Sequence, residues 1–343
     1  MAYTTINKST DYFNTVLYTG NGSTQSITGV GFQPDFNWIK NRATTNNHSL
    51  IDVVRGIPQT LRCDVTSPET TDTGTITSFD SDGFSMSGTN GKVNTNGDTY
   101  ASWNWKANGA GSSNTDGSIS STVSVSATSG FSIVSYTGTG SAGTVGHGLG
   151  STPKMIIFKD RSNDNGWHTY HSSFANATDL LLLDTSGSLY TSNNYINNTR
   201  PTSSVFSLGN TGGTNGSSAN YIAYCFNDVQ GYSKIGSYKG NGNADGTFVY
   251  TGFKPAWVIQ KPTNVTQNWQ IHDTKRDGYN PKNDNLSSNS TSAESDNKFI
   301  DIVSNGFKLR RSDVLNVSGD NYIYMAFAEA PLVGSNGVTA KAR

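Results

Sequence analysis

The chain writes nearly the same passage three times. Leu17-Tyr18-Thr19-Gly20-Asn21-Gly22 returns as Ser135-Tyr136-Thr137-Gly138-Thr139-Gly140 and again as Ser237-Tyr238-Lys239-Gly240-Asn241-Gly242. Counting from Pro34, Pro153 and Pro255, a lysine follows 6 residues later in every copy, at Lys40, Lys159 and Lys261. Phe84, Phe206 and Phe307 lie 50, 53 and 52 residues after the proline, and Tyr100, Tyr221 and Tyr322 lie 66, 68 and 67 after it. Registration over most of the chain means that one folding unit of about a hundred residues has been triplicated. A polymeric or multivalent role is therefore the first expectation, and a single deep catalytic cleft the second.

At 343 residues there is room for two or three domains, in line with three copies that can each bury a core. Only 14% of residues are charged, so solubility comes from Ser, Thr, Asn and Gly, as in β-rich extracellular or virion proteins. The net charge of −1 is spread without basic blocks, which argues against nucleic-acid partners that bind by counterion release. Cys63 and Cys225 sit at non-equivalent positions, so neither a disulfide nor a metal site is expected, and Cys225 reads as a small buried residue of a strand. No cofactor is implied. Membrane insertion is not expected, because no apolar run is long enough to cross a bilayer. Met1-Ala2-Tyr3-Thr4-Thr5-Ile6 lacks the basic and apolar regions of a signal peptide. Surface-like composition without an export signal leaves either an intracellular protein or one that leaves the cell inside an assembly released by lysis, as virus particles leave bacteria. The second fits better, and the expectation is a virion surface protein made in the host cytoplasm.

Residues 1–16 read as an N-terminal arm in which Tyr3, Ile6, Tyr12 and Phe13 are virion-docking residues, too few for a core but enough to anchor on another chain. The first copy spans 17–107. The Gly/Ser/Thr-rich stretch 108–129 reads as a linker, the second copy spans 130–229, the third 230–332, and 333–343 form a tail. The arm also motivates an expectation of homo-oligomers, a trimer first.

Within each copy the pattern has period two and no helical stripe. After the closing tyrosine, Ala101, Trp103 and Trp105, then Ile222, Tyr224 and Phe226, then Ile323, Met325 and Phe327 alternate along a strand and are expected in the core. Asn-Gly pairs ending at Gly22, Gly91, Gly97, Gly216, Gly242 and Gly306 are expected to supply the positive φ of tight hairpins. The fold class is all-β, with three tandem β-sandwich units of jelly-roll or concanavalin-like type.

Motifs that carry chemistry are sparse. Asp80-Ser81-Asp82-Gly83 imitates the start of a calcium loop, but Ser203-Ser204-Val205 and Ser304-Asn305-Gly306 replace it in the other copies, so a hairpin turn explains it. His168 and His171 would face opposite sides of a strand, so zinc is not expected. Only three glutamates exist, Glu69, Glu294 and Glu329, at places that look non-equivalent, and nothing singles out a pair of carboxylates for glycan hydrolysis. Trp167 and Trp269 follow polar loops and could stack on sugars, although a shared core explains their equivalence as well.

Tyr18-Thr19-Gly20-Asn21-Gly22, Val30-Gly31-Phe32-Gln33-Pro34-Asp35-Phe36, Gly130-Phe131-Ser132-Ile133-Val134, Gly146-His147-Gly148-Leu149-Gly150 and Asp301–Leu309 together resemble repeat modules of tail-fibre-like and other structural proteins of bacteriophages, particularly of marine bacteria and cyanobacteria. The ending Ala326-Phe327-Ala328-Glu329-Ala330-Pro331 through Ala342-Arg343 is similar too. The resemblance implies virion membership and a concanavalin-like sandwich, and brings no catalytic residues. The first expectation is a non-enzymatic tail fibre, spike or head appendage presenting lectin-like modules to host-surface glycans. The second is a capsid decoration or tail-assembly protein whose partners are other virion proteins, and a polysaccharide-degrading enzyme is a distant third.

Overall fold

The computed structural model describes residues 4–331 and 333. Strands dominate; the described helices are the 3-10 turn Ser9–Asp11 and the single α-turn Gly212–Asn215. This outcome follows from the period-two pattern, since alternation suits a pleated surface with one face buried. The same antiparallel order recurs three times. Strands Phe13–Thr19, Thr99–Trp105, Phe36–Asn41 and Ser49–Asp52 are neighbours in that order. So are Phe131–Thr137, Asn220–Phe226, Met155–Asp160 and His168–His171, and likewise Ser233–Lys239, Asn321–Pro331, Phe253–Pro262 and Gln270–Asp273.

Each of these inner sheets is backed by an outer one, of three, two and four strands in the first, second and third copies, with an apolar layer between them. In the first copy Ile27, Ile39, Phe84 and Tyr100 fill that layer; in the second Phe158, Phe206 and Tyr221; in the third Val258, Phe307 and Tyr322. The opposite faces of the inner sheets meet each other. All nine alternating residues of the closing strands lie in one cluster shared by the three copies. Trp105, Phe226 and Phe327, equivalent by sequence, touch one another pairwise, with ring centroids 6.4, 5.6 and 6.1 Å apart. Three equivalent rings in mutual contact place a pseudo-threefold axis through the molecule. The copies are therefore fused by a common aromatic core rather than strung as beads.

That core absorbs the arm. Phe13 begins a strand paired to Trp105 and stacks on Phe327 at 5.1 Å, and Ile6 is buried in the same cluster. Tyr12 packs edge-on against Tyr232, in the short connection between the second and third copies. Ile6 and Phe13 are thus unavailable for docking onto another chain, since burying them within the chain removes more apolar surface than a free arm could. Tyr3 lies outside the described residues.

The stretch 108–129 is also not a loose linker. Ser121–Ser126 pairs with Phe131–Thr137, and Ser112–Asn114 pairs with Ser121–Ser126, so the second inner sheet grows by a hairpin. Val123 and Ile119 are buried under it. The alternation in Ser121-Thr122-Val123-Ser124-Val125-Ser126 carried this strand, masked by the surrounding Gly and Ser.

Turn chemistry is partly as expected. Gly22, Gly97 and Gly242 take φ of 67°, 84° and 66°. Gly216 has φ −61°, while Gly306 is needed for space, because a Cβ there would meet the Val249 carbonyl at 2.0 Å. Close approach also explains the glycine after each Tyr-Thr or Tyr-Lys: a Cβ at Gly20, Gly138 or Gly240 would lie 2.2–2.3 Å from a carbonyl oxygen. The partner loops carry an asparagine that sequence comparison overlooked. Asn94, Asn215 and Asn316 accept from the backbone N–H of Asn21, Thr139 and Asn241 at 2.9–3.1 Å, tying each opening hairpin to the closing one.

Candidate functional site: a cleft between the second and third copies

Around the axis each copy contacts the next by the same set of bonds. Glu69 N–H donates to the Arg161 carbonyl at 3.0 Å, Glu294 to Arg42 at 2.9 Å and Leu189 to Thr263 at 2.7 Å. The three lysines spaced from the prolines are buried at these contacts, and their ammonium groups donate to carbonyls of the neighbouring copy: Lys40 to Thr291, Lys159 to Thr66 and Lys261 to Ser186. Burial lowers all three pKa values to about 8. Trp167 and Trp269, fully buried, donate to the carbonyls of Arg62 and Leu182 in the preceding copy. Their recurrence is interface structure, not a pair of sugar platforms.

Two of the three contacts carry a buried ionic clamp. Between the first and second copies Arg55 binds Asp52 at 2.5 Å and Glu69 at 3.0 Å, while Arg161 reaches Glu69 at 2.8 Å from the other side. Tyr224 hydroxyl donates to Asp52 at 2.8 Å. Between the third and first copies the set repeats: Arg276 binds Asp273 at 2.5 Å and Glu294 at 2.8 Å, Arg42 binds Glu294 at 2.6 Å, and Trp103 Nε1 donates to Asp273 at 3.0 Å. Burial alone would push the Asp273 carboxyl up, but Arg276 outweighs it and holds the pKa below the usual value. Glu69 and Glu294 therefore occupy equivalent places. They sit 35 and 39 residues after their prolines, and a loop-length difference of four hid the match.

The third contact lacks the whole set. His171 stands at the Asp52 and Asp273 position, 18 residues after the proline in each copy, and Phe174 replaces Arg55 and Arg276. Leu189 replaces the glutamate, Thr263 replaces Arg161 and Arg42, and Met325 replaces Tyr224 and Trp103. Every member of the clamp has changed together, which avoids stranding a buried charge. What remains there is a cleft of about 660 Å³ lined by residues of both copies, among them Phe174, Leu189, Ser237, Lys239, Thr263 and Asn264. Ser237 and Asn264 are exposed in it, whereas the counterpart of Ser237, Ser135, is bonded to Arg161 at 3.3 Å.

Other residues weighed for chemistry are held in structural bonds. Asp82 accepts from the N–H groups of Gly29 at 3.0 Å and Gly31 at 2.6 Å, and Asp80 from the hydroxyls of Ser78 and Ser85, as a hairpin requires. His171 is buried, accepting from Ser173 N–H at 3.1 Å, and burial lowers its pKa to about 4. Glu329 pairs with Lys254 at 2.8 Å. Cys63 and Cys225 are buried free thiols. Among the described residues no group of three or more His, Cys, Asp or Glu side chains is placed to hold a metal ion.

The folded chain is thus an all-β protein whose triplicated sequence closes around one axis. The family model described as a domain of unknown function, DUF7483, matches residues 8–331, and the chain belongs to that family. Comparison with curated proteins and with solved structures gave no match.

Proposed function

We propose that this chain is a non-enzymatic structural protein of a bacteriophage virion, a tail fibre, spike or head appendage built from three β-sandwich modules of jelly-roll or concanavalin-like kind, that attaches to host-surface glycans. The observation that carries the reading is the departure from pseudo-symmetry: three otherwise equivalent contacts, two sealed by ionic clamps and one opened into a polar cleft. A shared core with buried tryptophans suits a rigid body exposed on a particle. The sequence resemblance to phage tail-fibre-like modules supplies the virion context. Self-association into a homo-oligomer, a trimer first, belongs to the same proposal and is read by light scattering.

A capsid decoration or tail-assembly role is the second reading. Phe248 and Tyr250, which share the exposed face of one outer strand of the third copy, and Tyr279, 86% exposed, favour it as contacts for neighbouring virion proteins. Adsorption of the purified chain to bacterial cells separates the two. Saturable adsorption abolished by prior removal of surface polysaccharide supports attachment. A chain that labels virions but never adsorbs to cells supports decoration.

A further inference from the structure

We infer that the cleft between the second and third copies is a preformed binding site for a neutral oligosaccharide. The ligand class rests on the attachment reading above, whereas the location does not. The space is a built one. In the other two contacts an arginine and a glutamate stand at the corresponding positions, Arg161 with Glu69 and Arg42 with Glu294, and here Thr263 and Leu189 replace them while the flanking backbone bonds are kept. The same backbone bonds persist, Leu189 N–H to Thr263 at 2.7 Å and Gln267 N–H to Ser186 at 2.9 Å, so the opening is not a loosened interface. At about 660 Å³ it falls in the ~300–1,000 Å³ span of small-molecule pockets.

The lining selects the chemistry. Hydroxyls of Ser173, Ser188 and Ser237 stand exposed around it, and a hydroxyl can both donate and accept, as each sugar hydroxyl also does. The Asn264 amide is fixed at the rim, donating to Asp320 at 2.8 Å and accepting from Asn321 N–H at 3.0 Å. Leu189 and Phe174 supply an apolar wall for the C–H face of a pyranose ring. The charged groups are one of each sign. Asp179 is held by Asn176 N–H at 2.9 Å, which leaves Lys239 as a lone cation, without the arginine forks that bind phosphates and carboxylates tightly. A neutral glycan fits this surface better than a polyanion. Holding the walls in place before binding lowers the ordering cost a flexible site would incur.

The test uses the full chain on a printed array of neutral and acidic bacterial oligosaccharides, followed by calorimetric titration of the strongest neutral hit. Leu189→Glu combined with Thr263→Arg rebuilds the clamp carboxylate and guanidinium in the cleft. The expected result is an unchanged or higher thermal midpoint with at least a tenfold loss of affinity. Ser237→Ala, which leaves the interface alone, should weaken binding several-fold and provides the reading if the double variant fails to fold. Equal affinity in the native chain and in the variants would overturn the location while leaving attachment intact. Preference for acidic glycans, or no glycan bound by a native chain that still adsorbs to cells, would overturn the ligand class. Failure of both adsorption and glycan binding would overturn the attachment reading itself.

Discussion

The contact between the first and second copies and the contact between the second and third start from the same backbone bonds and end with opposite interiors. One encloses Asp52, Arg55, Glu69 and Arg161 in a hydrogen-bonded ionic set; the other holds His171, Phe174, Leu189 and Thr263 and stays open. Both belong to one closed molecule, so the ionic set cannot be what closes it. The shared aromatic core does that, and the side chains at the contacts decide what each contact is for. Buried ion pairs contribute little net stability compared with apolar replacements, because desolvation offsets attraction, so their exchange for a cleft is thermodynamically permissible.

The largest effect should come from removing residues 1–16. Phe13 stacks on Phe327 and Tyr12 packs on Tyr232, so the segment braces the contact that has no clamp. Deletion strips the strand Phe13–Thr19 of its first half and opens the shared core, and the cooperative thermal transition should be lost at 25 °C. A truncated chain that melts like the full one would show that the core does not need this segment. Next is Arg55→Met, which leaves Asp52 and Glu69 buried without their cation and should cost roughly 3–5 kcal/mol in denaturant unfolding. A loss under about 1 kcal/mol would mean that water reaches the clamp.

The buried lysines make all three contacts respond to pH in the same direction. Lys159, with its pKa lowered by burial to about 8, resists charging in the folded state, while in the unfolded chain it titrates near its ordinary 10.5. The unfolded state therefore holds more protons between these values, and the lysine's contribution to stability rises with pH across that window. Measured against Lys159→Met, the native chain should gain up to about 3 kcal/mol between pH 8 and 10.5, at about 1.4 kcal/mol per unit. A pH-independent difference would place the ammonium in water. The smallest effect is expected from converting the clamped contact into the open kind. Asp52→His, Arg55→Phe, Glu69→Leu, Arg161→Thr and Tyr224→Met together should change stability by under ~1.5 kcal/mol, in contrast to Arg55→Met alone. A fivefold variant as damaged as the single one would show that the clamp does more than fill its space.

Much of this architecture was legible from residue order. Period-two alternation marked the closing strands, and all nine residues so picked are buried in the shared core. The intervening positions, among them Tyr221, Ala223 and Cys225, are buried as well, because a strand between two packed layers is covered on both faces. The landmark spacing from Pro to Lys marked equivalent positions, and the three lysines proved to bridge neighbouring copies. The arm, the linker strand and the clamp were not legible, each for its own reason. Phe13 and Ile6 look insufficient for a core when counted alone, and become core only because two other copies bring theirs to the same axis. Val123 and Val125 were diluted by serine. Glu69 and Glu294 were separated by loop insertions that change spacing without moving the residue in space.

Sequence alone determined the triplication, the all-β class and the nine alternating core residues of the closing strands, since these depend on local alternation and on repeated landmarks. Only the tertiary structure decided that the three copies share one core, that Lys40, Lys159 and Lys261 bridge neighbours, and that one contact of three is open. Those outcomes depend on residues from different copies, 75 to 251 positions apart for the lysine bridges, meeting around an axis, and the free energy of such a meeting belongs to the packed surfaces together, not to any segment read by itself.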